Sequence, residues 1–233
     1  WSSDVCSPDL VAVGGTDGKS TTAALARQLL EAAGRAPVLG GNSWTAMADV
    51  VLQTARFDCA VVEVSAFQTW TGHRMHPLVS VLTNIADDHL DHYASVDDYV
   101  AAKLMIHDHL GAGDAAVLYA GDARLAARAG ALRARGVRVV LYGGDGVDDA
   151  RADAHAFVDG SVFRVRGAGV DVAVPVASSL LAGAHNQRNV LAALAATACV
   201  VARDSGDSGA ARGRLGEADG DRKSTRLNSR HLV

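Results

Sequence analysis

The sequence predicts an α/β fold, a doubly wound, mostly parallel sheet with a small antiparallel β patch. Three observations predict it. Short, nearly continuous apolar runs such as Asp58–Val64 and Leu78–Thr83 read as strands buried on both faces, as in a parallel sheet. Segments of helical periodicity alternate with these runs along most of the chain. Between Ala154 and Val176 the texture changes to short alternating runs with turns at Asp159-Gly160 and Gly167–Gly169, which reads as the antiparallel patch.

The elements follow in order. Val11-Ala12-Val13 forms a first strand that runs into Gly14-Gly15-Thr16-Asp17-Gly18-Lys19-Ser20-Thr21-Thr22. A helix then spans Ser20 to about Ala33 and is ended by Gly34. Pro37-Val38-Leu39 is a short strand entering Gly40-Gly41-Asn42, and a helix follows over Trp44–Ala55. After the two buried strands, a polar loop, Asn84–Ala94, leads into a helix over Val96–Leu110. Ser95 and Asp98 are spaced as a capping box at its start. Ala115–Tyr119, a helix over Ala123–Arg135 and Val137–Tyr142 continue the alternation. A last helix spans His185–Val201, and Ala202–Gly220 reads as a flexible segment.

At 233 residues and 49% hydrophobic, the chain is long enough to bury one substantial core. A formal charge of −4 provides no basic field for nucleic acid. No apolar run reaches the ~20 residues that span a bilayer. Cys6, Cys59 and Cys199 are odd in number and far apart, which argues against a disulfide framework or zinc site and fits a reducing cytoplasm. Residues 1–10 and 221–233 break from the Ala/Val/Gly texture of the body. They are expected to be a non-native leader and tail, leaving 11–203 as the domain and 204–220 as a flexible segment. Among 22 lysines and arginines only Lys19, Lys103 and Lys223 are lysines, so a retained lysine marks a place where arginine is chemically unsuitable.

The glycine-rich turn has the chemistry of a phosphate cradle. Gly14, Gly15 and Gly18 allow successive N–H groups to converge on an anion. The helix start adds its positive dipole end. Lys19 supplies a point charge to the β/γ-phosphates and the Ser20 hydroxyl a ligand for Mg²⁺. The strict P-loop pattern has glycine where Val13 stands. Glu63 ends a buried strand, and ligands of an open parallel sheet sit at the carboxyl ends of its strands, so Glu63 is a candidate Mg²⁺ ligand. Asp87, Asp88, His89, Asp91 and His92 make a second candidate metal cluster, with capping and turning as the alternative. Stepping the Val96–Leu110 helix at about 100° per residue puts Lys103 near the centre of a face made by Val96, Tyr99, Val100, Leu104, Ile106 and Leu110. Either Lys103 snorkels to water, or burial favours its neutral amine, which acts as a base or reacts with CO₂ to give a Mg²⁺-binding carbamate.

Six pieces occur in order: Gly15-Thr16-Asp17-Gly18-Lys19-Ser20-Thr21, Gly40-Gly41-Asn42, Glu63-Val64-Ser65-Ala66-Phe67-Gln68, Asn84-Ile85 with Asp88-His89-Leu90-Asp91, Ala101-Ala102-Lys103, and Ala184-His185-Asn186 with Asn189. In these pieces the chain resembles the central ATP-binding domain of the Mur ligases, over about residues 11 to 201. The Ser-x-Phe-Gln piece resembles the D-glutamate-adding branch.

The resemblance implies an ATP-dependent amide ligase of peptidoglycan precursor synthesis. It would activate UDP-N-acetylmuramoyl-L-alanine as an acyl phosphate and join it to D-glutamate. It further implies that Gly15, Thr16, Asp17, Gly18, Lys19, Ser20 and Thr21 bind ATP, with Asn186 and Asn189 near the adenine. Ser20 and Glu63 would hold one Mg²⁺ ion. His89 and Lys103, carbamylated by CO₂, would hold a second, so that Lys19, His89 and Lys103 are the catalytic set. Asn42, Ser65 and Gln68 would line the UDP-sugar-peptide substrate. A monomeric bacterial cytoplasmic enzyme is expected, with no nucleic-acid partner. Departures are Gly14 for the usual threonine, Ser43 for an aliphatic residue, Ala66 for serine and Thr69 for leucine. The family's flanking N- and C-terminal domains are not recognised in this sequence, so it is expected to bind nucleotide weakly, if at all, and not to complete ligation alone. The alternatives left open are a sister Mur or folylpolyglutamate-type ligase, a P-loop NTPase without an acyl substrate, and an inactive fragment that keeps the fold.

Overall fold

The computed structural model describes residues 8–52, 57–71, 75–86, 93–143, 149–176 and 183–204. Val11, Ala12 and Val13 are fully buried because their strand, β1 (Asp9–Gly14), runs inside the sheet rather than at its edge. The other strands are β2 (Pro37–Gly41), β3 (Cys59–Glu63), β4 (Val79–Leu82), β5 (Ala115–Tyr119), β6 (Arg138–Tyr142), β7 (Ala154–Asp159), β8 (Val162–Gly167) and β9 (Val170–Pro175). They form one sheet in the order β2-β3-β1-β4-β5-β6-β7-β8-β9. Pairing is parallel from β2 through β7 and antiparallel between β7, β8 and β9. The expected antiparallel patch is therefore the far edge of the main sheet, joined to it through β7.

Helices cover both faces, as the double burial of the strands requires. On one face α1 (Lys19–Ala32) packs beside α6 (Ala184–Asp204), with Leu25, Leu30, Leu191 and Leu194 in the core. On the other lie α2 (Met47–Leu52), α4 (Val96–Leu104) and α5 (Ala123–Ala134), contributing Val50, partly buried Leu104, and Leu125 and Leu132. A short helix, α3 (Ala66–Thr71), packs on α4. Adjacent β1 and β4 thus send their helices to opposite faces. Their carboxyl ends make the topological switch point at which an open α/β sheet takes its ligand.

Four local expectations change. Trp44 and Thr45 are not helical: Trp44 N–H donates to the Gly41 carbonyl at 3.1 Å and Gly41 N–H to the Thr45 carbonyl at 2.9 Å, folding this stretch back on β2. The helix expected to reach Leu110 stops at Leu104 and tightens into a 3₁₀ turn at Met105–His107, as helix C-termini often do. Helix α3 was not anticipated. Helix α6 runs to Asp204, past the expected end at Val201, and Arg203 pairs with Asp9 of β1 at 3.1 Å. Among the described residues no helix is long and apolar enough to cross a membrane.

Candidate nucleotide and metal site

The turn between β1 and α1 is shaped by two glycines. Gly15 has φ +132°, and a Cβ there would collide with Thr83 Oγ1. Gly18, the residue before α1, has φ +79°, and a Cβ there would collide with Asn189 Oδ1. Gly14 does not use the conformational freedom expected of it. It is the last residue of β1, where an added Cβ would press on Leu82 and Ile106 at 3.0 and 3.2 Å. Its small size serves packing rather than an unusual backbone angle.

The carbonyls of Gly14, Gly15, Thr16 and Asp17 are each held by a donor. Gly14 O accepts from Thr83 N at 3.1 Å and Thr83 Oγ1 at 3.2 Å, and Asp17 O accepts from Thr83 Oγ1 at 2.6 Å. Gly15 O accepts from Lys103 Nζ at 2.6 Å, and Thr16 O from Lys19 Nζ at 2.7 Å. With its carbonyls so engaged and no side chain capping α1, the turn offers the N–H groups and dipole of a helix start to an anion. Lys19 resides at the rim, able to exchange a loop carbonyl for a phosphate oxygen. Ser20 and Thr21 occupy the first turn of α1 and are half-buried. Behind the loop, the Tyr142 hydroxyl donates to Thr83 O at 2.9 Å, and burial pushes its ionisation far above the usual tyrosine range, so it remains a donor.

Lys103 is buried, as the helical stepping anticipates, and its amine reaches inward to the loop rather than outward to water. The ammonium stands 4.6 Å from the Tyr99 ring centroid, a cation–π distance, and the Tyr99 hydroxyl lies 3.2 Å from Thr16 Oγ1. Helix α4 is aimed by the expected cap: Ser95 Oγ accepts from Asp98 N at 3.1 Å and donates to Asp98 Oδ2 at 2.8 Å. Thr69 secures it from the side, donating to the Ala102 carbonyl at 2.7 Å.

Glu63 lies opposite Val13 in the β1–β3 register and opposite Gly41 in the β2–β3 register, so its carboxylate comes off the sheet beside the start of the loop. It is 1% exposed. Oε1 accepts from Ser43 Oγ at 3.1 Å and Asn42 Nδ2 at 3.4 Å, while Oε2 is buried with no hydrogen-bond partner. An unpartnered buried carboxylate oxygen is costly. A hard cation such as Mg²⁺ is a partner that the chemistry of this oxygen fits. Ser43, a departure from the family pattern, is one of the two groups orienting Glu63. His89 and its neighbours Asp87, Asp88, Asp91 and His92 lie outside the described residues. Among the described residues no group of three or more His, Cys, Asp and Glu forms a metal cluster.

Ser65 and Gln68 are found on each other. Ser65 N donates to Gln68 Oε1 at 2.9 Å, and Gln68 N to Ser65 Oγ at 3.2 Å. This is a capping box at the start of α3, a structural use of two residues expected on the substrate side. Asn189 of α6 reaches the loop, its Oδ1 accepting from Thr22 Oγ1 at 3.4 Å, and Asn186 lies one helical turn earlier. Thr83 and Tyr99, which contact the loop directly, carry no site role in the sequence reading, and Asn84 stands there only as the start of a polar loop and of one family piece.

A glycine turn at a switch point, a lysine at its rim and an uncapped helix start define a P-loop α/β domain. The family model for the Mur ligase middle domain matches residues 13–197. The chain belongs to the Mur ligase family. It is 37% identical over 188 residues to a UDP-N-acetylmuramoylalanine–D-glutamate ligase of Geotalea uraniireducens, covering 81% of this chain and 40% of that protein. The enzyme of the same name from Aromatoleum aromaticum is 38% identical over 193 residues, covering 80% and 39%. The chain thus spans about 40% of the length of these curated relatives. Among solved structures, a UDP-N-acetylmuramoyl-L-alanyl-D-glutamate–2,6-diaminopimelate ligase superposes with TM-score 0.63 at 23% identity, covering 83% of this chain and 44% of that one. A pseudomurein peptide ligase type C from Methanothermus fervidus superposes with TM-score 0.62 at 19% identity, covering 94% and 50%. These structures share the fold.

Proposed function

We propose that this chain is the central ATP-handling domain of an ATP-dependent carboxylate–amine ligase that adds D-glutamate to UDP-N-acetylmuramoyl-L-alanine in peptidoglycan precursor synthesis. The observation that carries it is the buried Lys103 amine, held 2.6 Å from the P-loop carbonyl of Gly15. Glu63 ends the strand beside β1 with one carboxylate oxygen unpartnered. The curated relatives named as D-glutamate ligases support the choice of amino acid.

The roles follow from charge. The helix start and Lys19 bind the triphosphate and hold its γ-phosphate at the carboxyl edge of the sheet. Ser20 and Glu63 would hold one Mg²⁺ ion, and Lys103 as its carbamate together with His89 a second. Magnesium, when bound, supplies the positive charge that lets an anionic carboxylate approach the γ-phosphate. Carbamylation takes one proton from the Lys103 ammonium, joins the neutral amine to CO₂ and releases a second proton. The carbamate nitrogen keeps one hydrogen, so the bond to Gly15 O survives while the cation becomes an anion. Attack by the acceptor carboxylate gives an acyl phosphate and ADP. The D-glutamate amine then displaces phosphate to form the amide, losing a proton. Asn42, Ser65 and Gln68 are assigned to the acceptor side, and Asn186 and Asn189 to the adenine side.

The test uses the full-length ligase carrying this domain. ADP release should require both the UDP-sugar acceptor and D-glutamate. Lys103→Ala should lose activity, and short-chain carboxylates should restore part of it. ATP hydrolysis indifferent to acceptor and bicarbonate would instead identify a plain P-loop NTPase. The 233-residue chain by itself is expected not to complete ligation. Formation of the UDP-linked dipeptide by it at ordinary rates would contradict that.

A further inference from the structure

The segment Thr83–Ala86, which follows β4, wraps the phosphate loop. Ala86 N donates to Thr16 Oγ1 at 3.0 Å, and Ile85 N is fixed from behind by Asp122 Oδ2 at 2.8 Å. Asp122 also caps α5, so the wrap is anchored to a helix on the far side of the sheet. Within it, Asn84 meets the loop twice. Its backbone carbonyl accepts from Thr16 N at 3.0 Å, and its side-chain Oδ1 accepts from both Thr16 N at 3.0 Å and Asp17 N at 2.8 Å.

Resting on the nucleotide reading above, we infer that Asn84 is a positioning residue of the phosphate site, required there because it is a neutral acceptor. Two N–H groups of the turn are satisfied by Asn84 and held in one orientation. The anion is thereby directed to the helix start from Gly18 to Thr21, where no side chain competes. A carboxylate could make the same two hydrogen bonds, and stronger ones. It would also set a negative charge against the loop that must receive a polyanion. Loop order and anion affinity therefore respond in opposite directions to Asn84→Asp, which a purely structural residue would not produce.

The experiment compares the full-length ligase carrying this domain, as wild type, with its Lys19→Ala, Asn84→Ala and Asn84→Asp variants. Three readouts are used: thermal melting without nucleotide, hydrogen exchange at the Thr16 and Asp17 amides, and NMR titration with MgATP. Asn84→Asp should melt at or above wild type and keep both amides protected, yet bind MgATP about tenfold more weakly or worse, given one added like charge at the site. Asn84→Ala should lose protection at both amides and also bind more weakly. Wild-type affinity in Asn84→Asp, with Lys19→Ala weakened, overturns the inference and leaves the nucleotide reading standing. Tighter binding by Asn84→Ala overturns it as well, since the side chain would then be a plug. Melting of Asn84→Asp below Asn84→Ala also counts against it. If wild type and Lys19→Ala do not differ, the nucleotide reading falls and the inference with it.

Discussion

His107 should make this domain acid-sensitive, and one substitution should remove that sensitivity. The ring sits fully buried in the 3₁₀ turn after α4, four residues beyond Lys103, and neither nitrogen has a hydrogen-bond partner. Burial first, then the positive charges of Arg128 and Arg135, lower its pKa from 6.5 to about 3. The folded state therefore keeps the ring neutral while the unfolded chain takes up a proton below its ordinary pKa, so stability is lost progressively as pH falls from about 6.5 to about 3. At about 1.4 kcal/mol per pKa unit, a gap of roughly 3.5 units comes to about 5 kcal/mol in all, of which about 2 kcal/mol is lost between pH 7 and pH 5. In a domain of this size that is a drop of about 4–8 °C in Tm. Circular-dichroism melts of wild type and His107→Leu at these two pH values check it. The leucine variant should melt at or above wild type at neutral pH, because it removes two unsatisfied buried nitrogens. Its pH 7-to-5 shift should be smaller by about 4–8 °C. Equal shifts in the two proteins, or native-state titration of His107 near its ordinary pKa, would refute the reasoning.

Two further outcomes are expected. Gly15→Ala should cost about 1–3 kcal/mol from the left-handed backbone alone, and more from the collision with Thr83 Oγ1, seen as a lower urea midpoint together with loss of MgATP binding. Glu63→Gln should stabilise the ligand-free domain by on the order of 1–3 kcal/mol, read as a higher melting temperature, since it removes the negative charge of a buried carboxylate with one unpartnered oxygen. The same variant should lose the Mg²⁺ dependence of nucleotide binding, and unchanged magnesium dependence would remove Glu63 from the metal site.

What could be read from the sequence was whatever local chemistry dictates. The phosphate turn was legible because its glycines, its lysine and its hydroxyls are contiguous. Lys103 was legible because a helix places residues at a known angular step, and a lysine in the middle of an apolar face has to be explained. The structure puts its amine on Gly15, at the loop the sequence reading took as its centre. Helix α3 was missed because its six residues are too few to show a period. Its capping box joins Ser65 to Gln68, two residues that the family resemblance implies for the substrate side.

Other parts depend on register, which no single stretch contains. Thr83 and Asn84 meet the loop only because Gly14 pairs with Leu82 in the parallel β1–β4 ladder. A slip of one residue would turn every side chain on β4 to the opposite face. Glu63 illustrates the same limit from the other side. Its place at a strand end was visible, but its unpartnered oxygen exists only because two neighbouring strands bury it and Asn42 and Ser43 occupy the other oxygen. The family pattern has an aliphatic residue where Ser43 stands. In this chain the Ser43 hydroxyl joins Asn42 in holding one carboxylate oxygen of Glu63, and the other is left buried without a hydrogen-bond partner.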